Sequence, residues 1–174
     1  KDDPDYETKR RWNGGTPRWN WAAGEQLTVI CYTNCEEAEL FINGRTLGTQ
    51  QLKNSPQSYL TWEVDYEAGR LEVVAKDSDG RLFSCELHTA SQPEKLTMRA
   101  DSSDLNANGQ DIAHIEIVIT DHSGKPVVLA DHPIQLSIQG PGEILGLENG
   151  DAQDVEPYSS RIRKVFHGKL LAYI

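Results

Sequence analysis

Hydrophobic and polar positions alternate with a period of two along most of this sequence. Because successive side chains of a strand point to opposite faces, this period predicts strands that each bury one face. About six such runs occupy the first half, marked by Leu27, Val29 and Cys31; Leu40 and Ile42; residues 45–47; Trp62, Val64 and Tyr66; Leu71, Val73 and Ala75; and Phe83, Cys85 and Leu87. No convincing amphipathic helix occurs, and residues 35–40 are the one short helical candidate.

Turn signals separate these runs. Asn43-Gly44 lies between two short apolar runs, and this pair favours a tight β-hairpin because both positions must accept a positive φ. Residues 67–69 and 77–80 are further turns rich in Gly, Asp and Ser. Short strands at this spacing are typical of a β-sandwich.

The small, polar stretch 89–94 is typical of a linker, and the alternation restarts after it. The later runs are marked by Leu96, Met98 and Ala100; Ile115, Ile117 and Ile119; Ile134, Leu136 and Ile138; and residues 168–174. The pattern therefore predicts an all-β protein with two tandem immunoglobulin-like β-sandwiches, over residues 1–90 and 91–174.

Both chain ends affect this prediction. The sequence starts at Lys1 without a methionine or signal peptide, so we expect a processed chain or an excised piece. The second half stops on an apolar strand, so we expect the natural protein to continue through a closing strand that is missing here. Such a truncation would leave an unpaired sheet edge or a seat for a partner.

The composition of the chain argues against two classes of partner, nucleic acids and anionic membranes. The 174 residues carry 17 basic and 27 acidic side chains, a formal net charge of −10, and the pI is near 4.9. Phosphate binding draws on clustered Lys and Arg, so a nucleic-acid partner is not expected. Acidic surfaces are also poor partners for anionic lipids, and no run approaches the roughly 20 apolar residues that span a bilayer.

Three cysteines, Cys31, Cys35 and Cys85, are too few to hold a scaffold together, and an odd number cannot all pair internally. Cys31 and Cys35 have a spacing that metal ligands can have, but no second ligand pair accompanies them. We expect these cysteines to be small, buried hydrophobic side chains. A single disulfide between two of them stays an open alternative.

Catalysis by this chain alone is not expected. A glycosidase needs two carboxyl groups roughly 5–9.5 Å apart beside a cleft, whereas Glu36, Glu37 and Glu39 are typical of a solvated turn. The five histidines are scattered, and no GxSxG motif occurs. The sequence predicts no catalytic residue and no cofactor.

Two motifs remain as binding candidates. Asp104, Asn106, Asn108 and Asp111 match the first half of a calcium loop, but the twelfth position is Ile115, so a polar turn is the favoured alternative. The aromatic cluster Trp12, Trp19 and Trp21 could stack on sugar rings, although packing within a sandwich or docking on a neighbouring domain is favoured. Trp62 alternates with Val64 and Tyr66 and is predicted to be a core residue.

Several stretches of the first half resemble one family. They are residues 18–21 (RWNW), 29–35 (VICYTNC), 39–48 (ELFINGRTLG), 62–64 (WEV) and 67–71 (EAGRL). Together they resemble the immunoglobulin-like domain that follows the catalytic barrel in bacterial glycoside hydrolases of family 2, the beta-galactosidase family. The resemblance implies that Trp19, Trp21, Asn43 and Gly44 determine the fold.

The second half resembles the next module of those enzymes, a bacterial immunoglobulin-like domain related to the invasin type. The matching stretches are residues 100–101, 108–111, 121–126, 140–142, 148–151 and 168–170. The family's catalytic glutamates lie in a (β/α)₈ barrel that would precede Lys1, and no residue here matches either of them.

The resemblance implies a non-catalytic C-terminal part of a bacterial beta-galactosidase. It would act as a spacer that shapes the cleft or supports oligomers, with the upstream barrel and sugar-binding domains as its partners. Export to the periplasm or cell surface is the expected location. Two alternatives stay open: a carbohydrate-binding module that uses the tryptophan cluster, and a surface adhesion module.

Overall fold

A computed structural model describes residues 17–174 of the chain. Contacts divide it into two compact units, unit 1 up to Thr89 and unit 2 from Ala90 to Ile174. Within the described residues the regular structure is strand, apart from one 3₁₀ turn at Leu52–Asn54. The predicted all-β fold of immunoglobulin-like sandwiches is confirmed. No helix in the described part of the chain is long and apolar enough to cross a membrane.

Unit 1 contains six strands in two antiparallel sheets. They are β1 (Gln26–Cys31), β2 (Glu37–Ile42), β3 (Arg45–Gln51), β4 (Leu60–Asp65), β5 (Arg70–Lys76) and β6 (Leu82–His88). One sheet pairs β1 with β4, and the other has the order β3-β2-β5-β6. The strands β1 and β6 each have one neighbour in their sheets, so each has a free edge.

The core of unit 1 lies between these two sheets. Its buried residues are Trp19, Cys35, Ala38, Leu40, Ile42, Leu60, Trp62, Val64, Tyr66, Leu71 and Ala75. The predicted core position of Trp62 is confirmed, since this residue is 5% exposed. Its alternation with Val64 along β4 places both side chains on the inner face of the smaller sheet.

The hairpin between β2 and β3 turns at Asn43 and Gly44. Their φ angles are 51° and 81°, and two successive positive φ angles are what a two-residue turn of type I′ requires. The hairpin prediction is therefore confirmed. The helical candidate at residues 35–40 is wrong, because β2 starts at Glu37 and buries alternate residues against the core.

Unit 2 also contains six strands in two antiparallel sheets. They are β7 (Lys95–Ala100), β8 (His114–Thr120), β9 (Pro133–Gln135), β10 (Gly146–Glu148), β11 (Ile162–Lys164) and β12 (Lys169–Tyr173). The larger sheet has the order β10-β12-β8-β7, and the smaller one pairs β11 with β9. The alternation predicted to run to Ile138 forms a strand only over Pro133–Gln135, and Ile138 is 38% exposed.

The inner face of the larger sheet is covered unevenly. The buried core of unit 2 consists of Ala90, Ile117, Ile119, Val127, Ala130, Ile144, Leu147, Val165, Leu170 and Ala172. None of these residues belongs to β7, although Leu96 and Met98 pair with Ile119 and Ile117 and share their face. Leu96 is 53% exposed and Met98 is 57% exposed, so the β7 end of this apolar face is open.

A buried ion pair holds the long segment between β10 and β11. Arg163 Nη1 lies 3.0 Å from Asp154 Oδ2, and only 2% of the arginine side chain is exposed. The guanidinium also donates to the main-chain oxygen of Glu156 and lies 5.1 Å from the ring centroid of Tyr158. Asn149 Nδ2 donates to the same Asp154 oxygen at 2.7 Å, and the main-chain nitrogen of Glu156 donates to the other oxygen at 2.8 Å.

Candidate functional site

Trp19, one of the three tryptophans considered for sugar binding, lies in the core of unit 1 and is 2% exposed. Its ring packs edge-on against Tyr66, with 5.1 Å between the ring centroids. Its indole Nε1 donates to the main-chain oxygen of Glu67 at 3.0 Å. Stacking on a sugar needs an open ring face, and Trp19 has none in this structure.

Trp21 is half-buried at the margin of the same core. The guanidinium of Arg18 lies over its ring, 3.8 Å from the centroid, in a cation–π contact. A sugar on that face would have to displace the arginine. Trp12 lies outside the described residues, so the three tryptophans are not seen as one platform, and carbohydrate binding by them stays a prediction.

The polar loop considered for calcium is closed by its own hydrogen bonds. Asp111 accepts from the main-chain nitrogen of Asn106 at 2.9 Å and from both amide groups, of Asn106 and Asn108, at 2.8 Å. These bonds, the main-chain one first, lower the pKa of the Asp111 carboxyl. Two amide donors therefore point at the carboxylate that would have to face a cation.

Asp104, the remaining member of the candidate, takes part in local bonds of its own. Its main-chain oxygen accepts from the Ser102 hydroxyl at 2.8 Å, and its carboxylate accepts from the Ser103 hydroxyl at 2.9 Å. This is the hydrogen-bond pattern of a polar turn, in which side chains replace the missing main-chain partners. Within residues 17–174, no three His, Cys, Asp or Glu side chains are grouped as a metal ion would require.

A charged concavity lies on the outer face of the larger sheet of unit 2. It has a volume of about 460 Å³ and is lined mainly by Arg99, Asp101, His114, Glu116, Glu148 and Lys169. The members on β7, β8 and β12 alternate with residues of the inner face, which explains their common side; Glu148 is on β10 and Asp101 directly follows β7.

The charges in this concavity are largely paired. His114 Nδ1 lies 2.7 Å from Asp101 Oδ2, and hydrogen bonds from the main chain and ring of His114 lower the pKa of the Asp101 carboxyl. Lys169 Nζ lies 3.1 Å from Glu116 Oε1. The Asp101–His114 pair was missed in the sequence because its members are 13 positions apart. Only the register of the β7–β8 hairpin brings them together.

Tyr173 contacts two residues that line the concavity, Glu148 and His114. Its hydroxyl donates to Glu148 Oε2 at 2.6 Å, and this bond raises the pKa of the phenol. Its ring packs edge-on against His114, with 5.2 Å between centroids. The concavity thus offers donors and acceptors for a polar ligand, but its side chains already satisfy one another.

An apolar groove runs along the free edges of β1 and β6 in unit 1. We call it the edge groove; it has a volume of about 340 Å³ and is lined mainly by Val29, Cys31, Tyr32, Val73, Phe83 and Cys85. Tyr32 is 66% exposed and Phe83 is 53% exposed. The rings of Tyr32 and Tyr59 also contact each other, with 5.4 Å between centroids.

The displaced carboxyl pKa values do not suit acid catalysis. A glycosidase needs one carboxylic acid that stays protonated near neutral pH, which requires a raised pKa. Among residues 17–174, four carboxyl groups have displaced pKa values, and all four are lowered: Glu86, Asp101, Asp111 and Asp121. Hydrogen bonds are the main cause in each case, so these groups remain charged acceptors.

Two family models match the chain. Residues 96–174 match the glycoside hydrolase family 2 C-terminal domain 5, and residues 24–83 match a domain of unknown function, DUF4982. Thus the first match covers most of unit 2 and the second lies within unit 1.

Named relatives and solved structures agree with the first match. The chain is 33% identical over 159 residues to the beta-galactosidase BoGH2A of Bacteroides ovatus, covering 91% of this chain and 19% of the relative. It is similar to a glycosyl hydrolase family 2 member from Bacteroides cellulosilyticus, with a TM-score of 0.81, 32% identity, and coverage of 90% of this chain and 22% of that one. A beta-glycosidase from Bacteroides vulgatus gives a TM-score of 0.83 at 28% identity, covering 91% and 20%.

These comparisons identify the family of the chain. It belongs to glycoside hydrolase family 2, in the C-terminal part of those proteins, as the resemblance of its motifs implied. The chain spans about a fifth of the length of the relatives it matches.

Proposed function

We propose that this chain is a non-catalytic accessory part of a family 2 glycosidase, with a beta-galactosidase as the favoured parent. The observation that carries the proposal is the match of residues 96–174 to a C-terminal domain of that family. The named relative of 33% identity is a beta-galactosidase, which favours a β-linked galactoside as the substrate of the whole protein.

The chemistry of the described residues supports a non-catalytic role. Every described carboxyl group with a displaced pKa has a lowered one, whereas an acid catalyst needs a carboxyl group with a raised pKa. Three acidic groups line the charged concavity, and each has a partner. Asp101 is paired with His114 and Glu116 with Lys169, and Glu148 accepts from the Tyr173 hydroxyl. A charged carboxylate held in an ion pair is a poor proton donor.

Spacer domains fit the architecture. Each unit has its own hydrophobic core between two packed sheets, as a self-contained β-sandwich does. The proposed partners are a catalytic (β/α)₈ barrel and sugar-binding domains of the same polypeptide. We further propose that the parent protein is exported to the periplasm or cell surface, as expected from the sequence resemblance.

Hydrolysis assays test the catalytic part of this proposal. The 174-residue chain, offered nitrophenyl β-galactoside and nitrophenyl β-glucuronide, should release no nitrophenol above the buffer rate, whereas the complete parent protein should hydrolyse one of them. The proposal would be overturned if the isolated chain hydrolysed either substrate and lost this activity on replacement of Glu116 or Glu148 by Gln.

Calorimetric titration separates a spacer from a carbohydrate-binding module. Galactose, lactose and β-linked galactan oligosaccharides should give no saturable heat with the folded chain. Saturable heat that disappears in Trp21→Ala, while circular dichroism shows the variant folded, would favour the binding module. Trp19→Phe is the control for packing, because Trp19 is buried and should affect stability instead of binding.

A further inference from the structure

The edge groove brings together two cysteines that are 54 positions apart in sequence. Cys31 is the last residue of β1, and Cys85 lies in the middle of β6. Both line the groove, and both are free thiols in this structure. The third cysteine, Cys35, is buried in the core of unit 1 and does not line the groove.

The register of the two sheets explains why the thiols face the same space. Cys31 lies opposite Leu60, which is buried at 1% exposure, so the cysteine points inward from the smaller sheet. Cys85 lies opposite Val73, which packs against the core from the larger sheet. The two thiols therefore face each other from opposing sheets, an arrangement that sandwich proteins can bridge with a disulfide.

We propose that Cys31 and Cys85 form a disulfide across the edge groove when the protein meets a disulfide oxidant. The bond would join β1 to β6, the two strands whose free edges leave this side of unit 1 without main-chain pairing between the sheets.

The environments of the two thiols set the order of reaction. Burial raises the pKa of the Cys31 thiol, and the nearby Cys85 and then Cys35 raise it further. Cys85 is exposed, so it is the thiol that a soluble reagent can reach. Because the thiolate is the attacking species, Cys85 reacts first and Cys31 resolves the intermediate.

The reaction balances with a low-molecular-weight disulfide such as oxidised glutathione. The Cys85 thiolate attacks one sulfur of the reagent, the reagent's S–S bond breaks, and one glutathione thiolate leaves and takes up a proton. Cys31 then loses its proton and attacks Cys85 Sγ, which expels the second glutathione. Two protein thiols are oxidised by two electrons in all, and one reagent disulfide is reduced to two thiols.

Peptide mapping tests the pairing. The 174-residue chain is incubated with oxidised glutathione under native conditions, alkylated without reduction and digested with trypsin. Cys31 and Cys35 both fall in the peptide 19–45, whereas Cys85 falls in the peptide 82–95. We expect these two peptides to be linked, with the loss of the mass of two hydrogen atoms.

Variants identify which cysteine forms the link. It should persist in Cys35→Ala and disappear in both Cys31→Ala and Cys85→Ala. Oxidised Cys35→Ala should also unfold about 10 °C above its reduced form, because closing a loop of this length restricts the unfolded chain. Glutathione adducts without an internal link, a link confined to peptide 19–45, or a link that survives in Cys31→Ala would each overturn the proposal.

Discussion

Met98 and Ile117 lie directly opposite each other on neighbouring strands of unit 2, yet Met98 is 57% exposed and Ile117 is 1% exposed. Both side chains are on the apolar face of the same sheet. The smaller sheet of unit 2 has strands of only three residues each. Ile117 belongs to the buried core of unit 2, and Met98 does not. One continuous apolar face is thus half core and half surface.

This difference predicts unequal effects of truncating the two side chains. Ile117→Ala should lower the free energy of unfolding by about 2–5 kcal/mol, as expected for a buried aliphatic residue. Met98→Ala should lower it by less than about 1 kcal/mol, because the Met98 side chain stays largely exposed to water in the folded state. Urea denaturation of both variants measures the difference, and equal losses would mean that the β7 face is covered in solution.

The buried ion pair of unit 2 predicts a second contrast. Asp154→Ala should destabilise the chain by about 3 kcal/mol, because the guanidinium of Arg163 would stay buried without its charged partner. Lys169→Ala breaks the exposed pair with Glu116 and should change stability by less than about 1 kcal/mol. Chemical denaturation of the two variants compares these losses, and similar values would show that solvent reaches Arg163.

The hydrogen bonds of Asp121 predict that unit 2 loses stability in acid. Its buried carboxylate accepts from the main-chain nitrogens of Ser91, Ser123 and Lys125 at 2.9–3.0 Å. These bonds, with one from the Ser123 hydroxyl, hold the pKa of Asp121 far below its usual range. A folded pKa below the unfolded value, which is about 3.9, means that the stabilisation is complete above that pH and is lost as the pH falls below it.

Thermal melts between pH 7 and pH 2 check this sign. The wild-type chain should be more stable than Asp121→Asn at pH 7, and the gap between their melting temperatures should narrow below about pH 4, where the unfolded carboxyl takes up a proton. Asp111→Asn is the control on an exposed loop and should show a smaller gap at neutral pH. A gap that stays constant across the pH range would contradict the assigned role of Asp121.

Two glycines in unit 1 predict different responses to the same substitution. A Cβ at Gly69 would overlap Asn43 Oδ1, whereas a Cβ at Gly44 would meet no atom within 4 Å. Gly44→Ala should therefore cost about 1–2 kcal/mol for its positive φ alone. Gly69→Ala should cost about 1–3 kcal/mol more, because it also displaces Asn43 from its bonds to Ala68 and Arg70. Thermal unfolding of both variants gives the comparison.

The strands could be predicted from sequence where one face is buried and the other is exposed to solvent. That condition holds for β2 and β4, whose alternation matches their burial. It fails for β9, where the alternation through Ile138 outlasts the strand because the chain leaves its partner β11. The Asn43-Gly44 turn was predictable because its chemistry is local.

The surfaces were less predictable because they depend on pairing across the fold. Asp101 meets His114 only through the register of β7 and β8, and Cys31 and Cys85 line one groove only because two sheets face each other. Trp19 illustrates the converse. Its residue type suits both sugar stacking and packing, and only its burial against Tyr66 shows which contacts it makes in this structure.

The place of β12 in its sheet has a consequence for biosynthesis. This strand lies between β8 and β10, pairing with both, so the sheet of unit 2 cannot close until Lys169–Tyr173 have left the ribosome. Unit 1 has all of its strand partners before Thr89 and can fold earlier on the nascent chain. During that interval the edges of β8 and β10 that will pair with β12 have no strand partner, so a chaperone that binds extended apolar segments would have a binding site there.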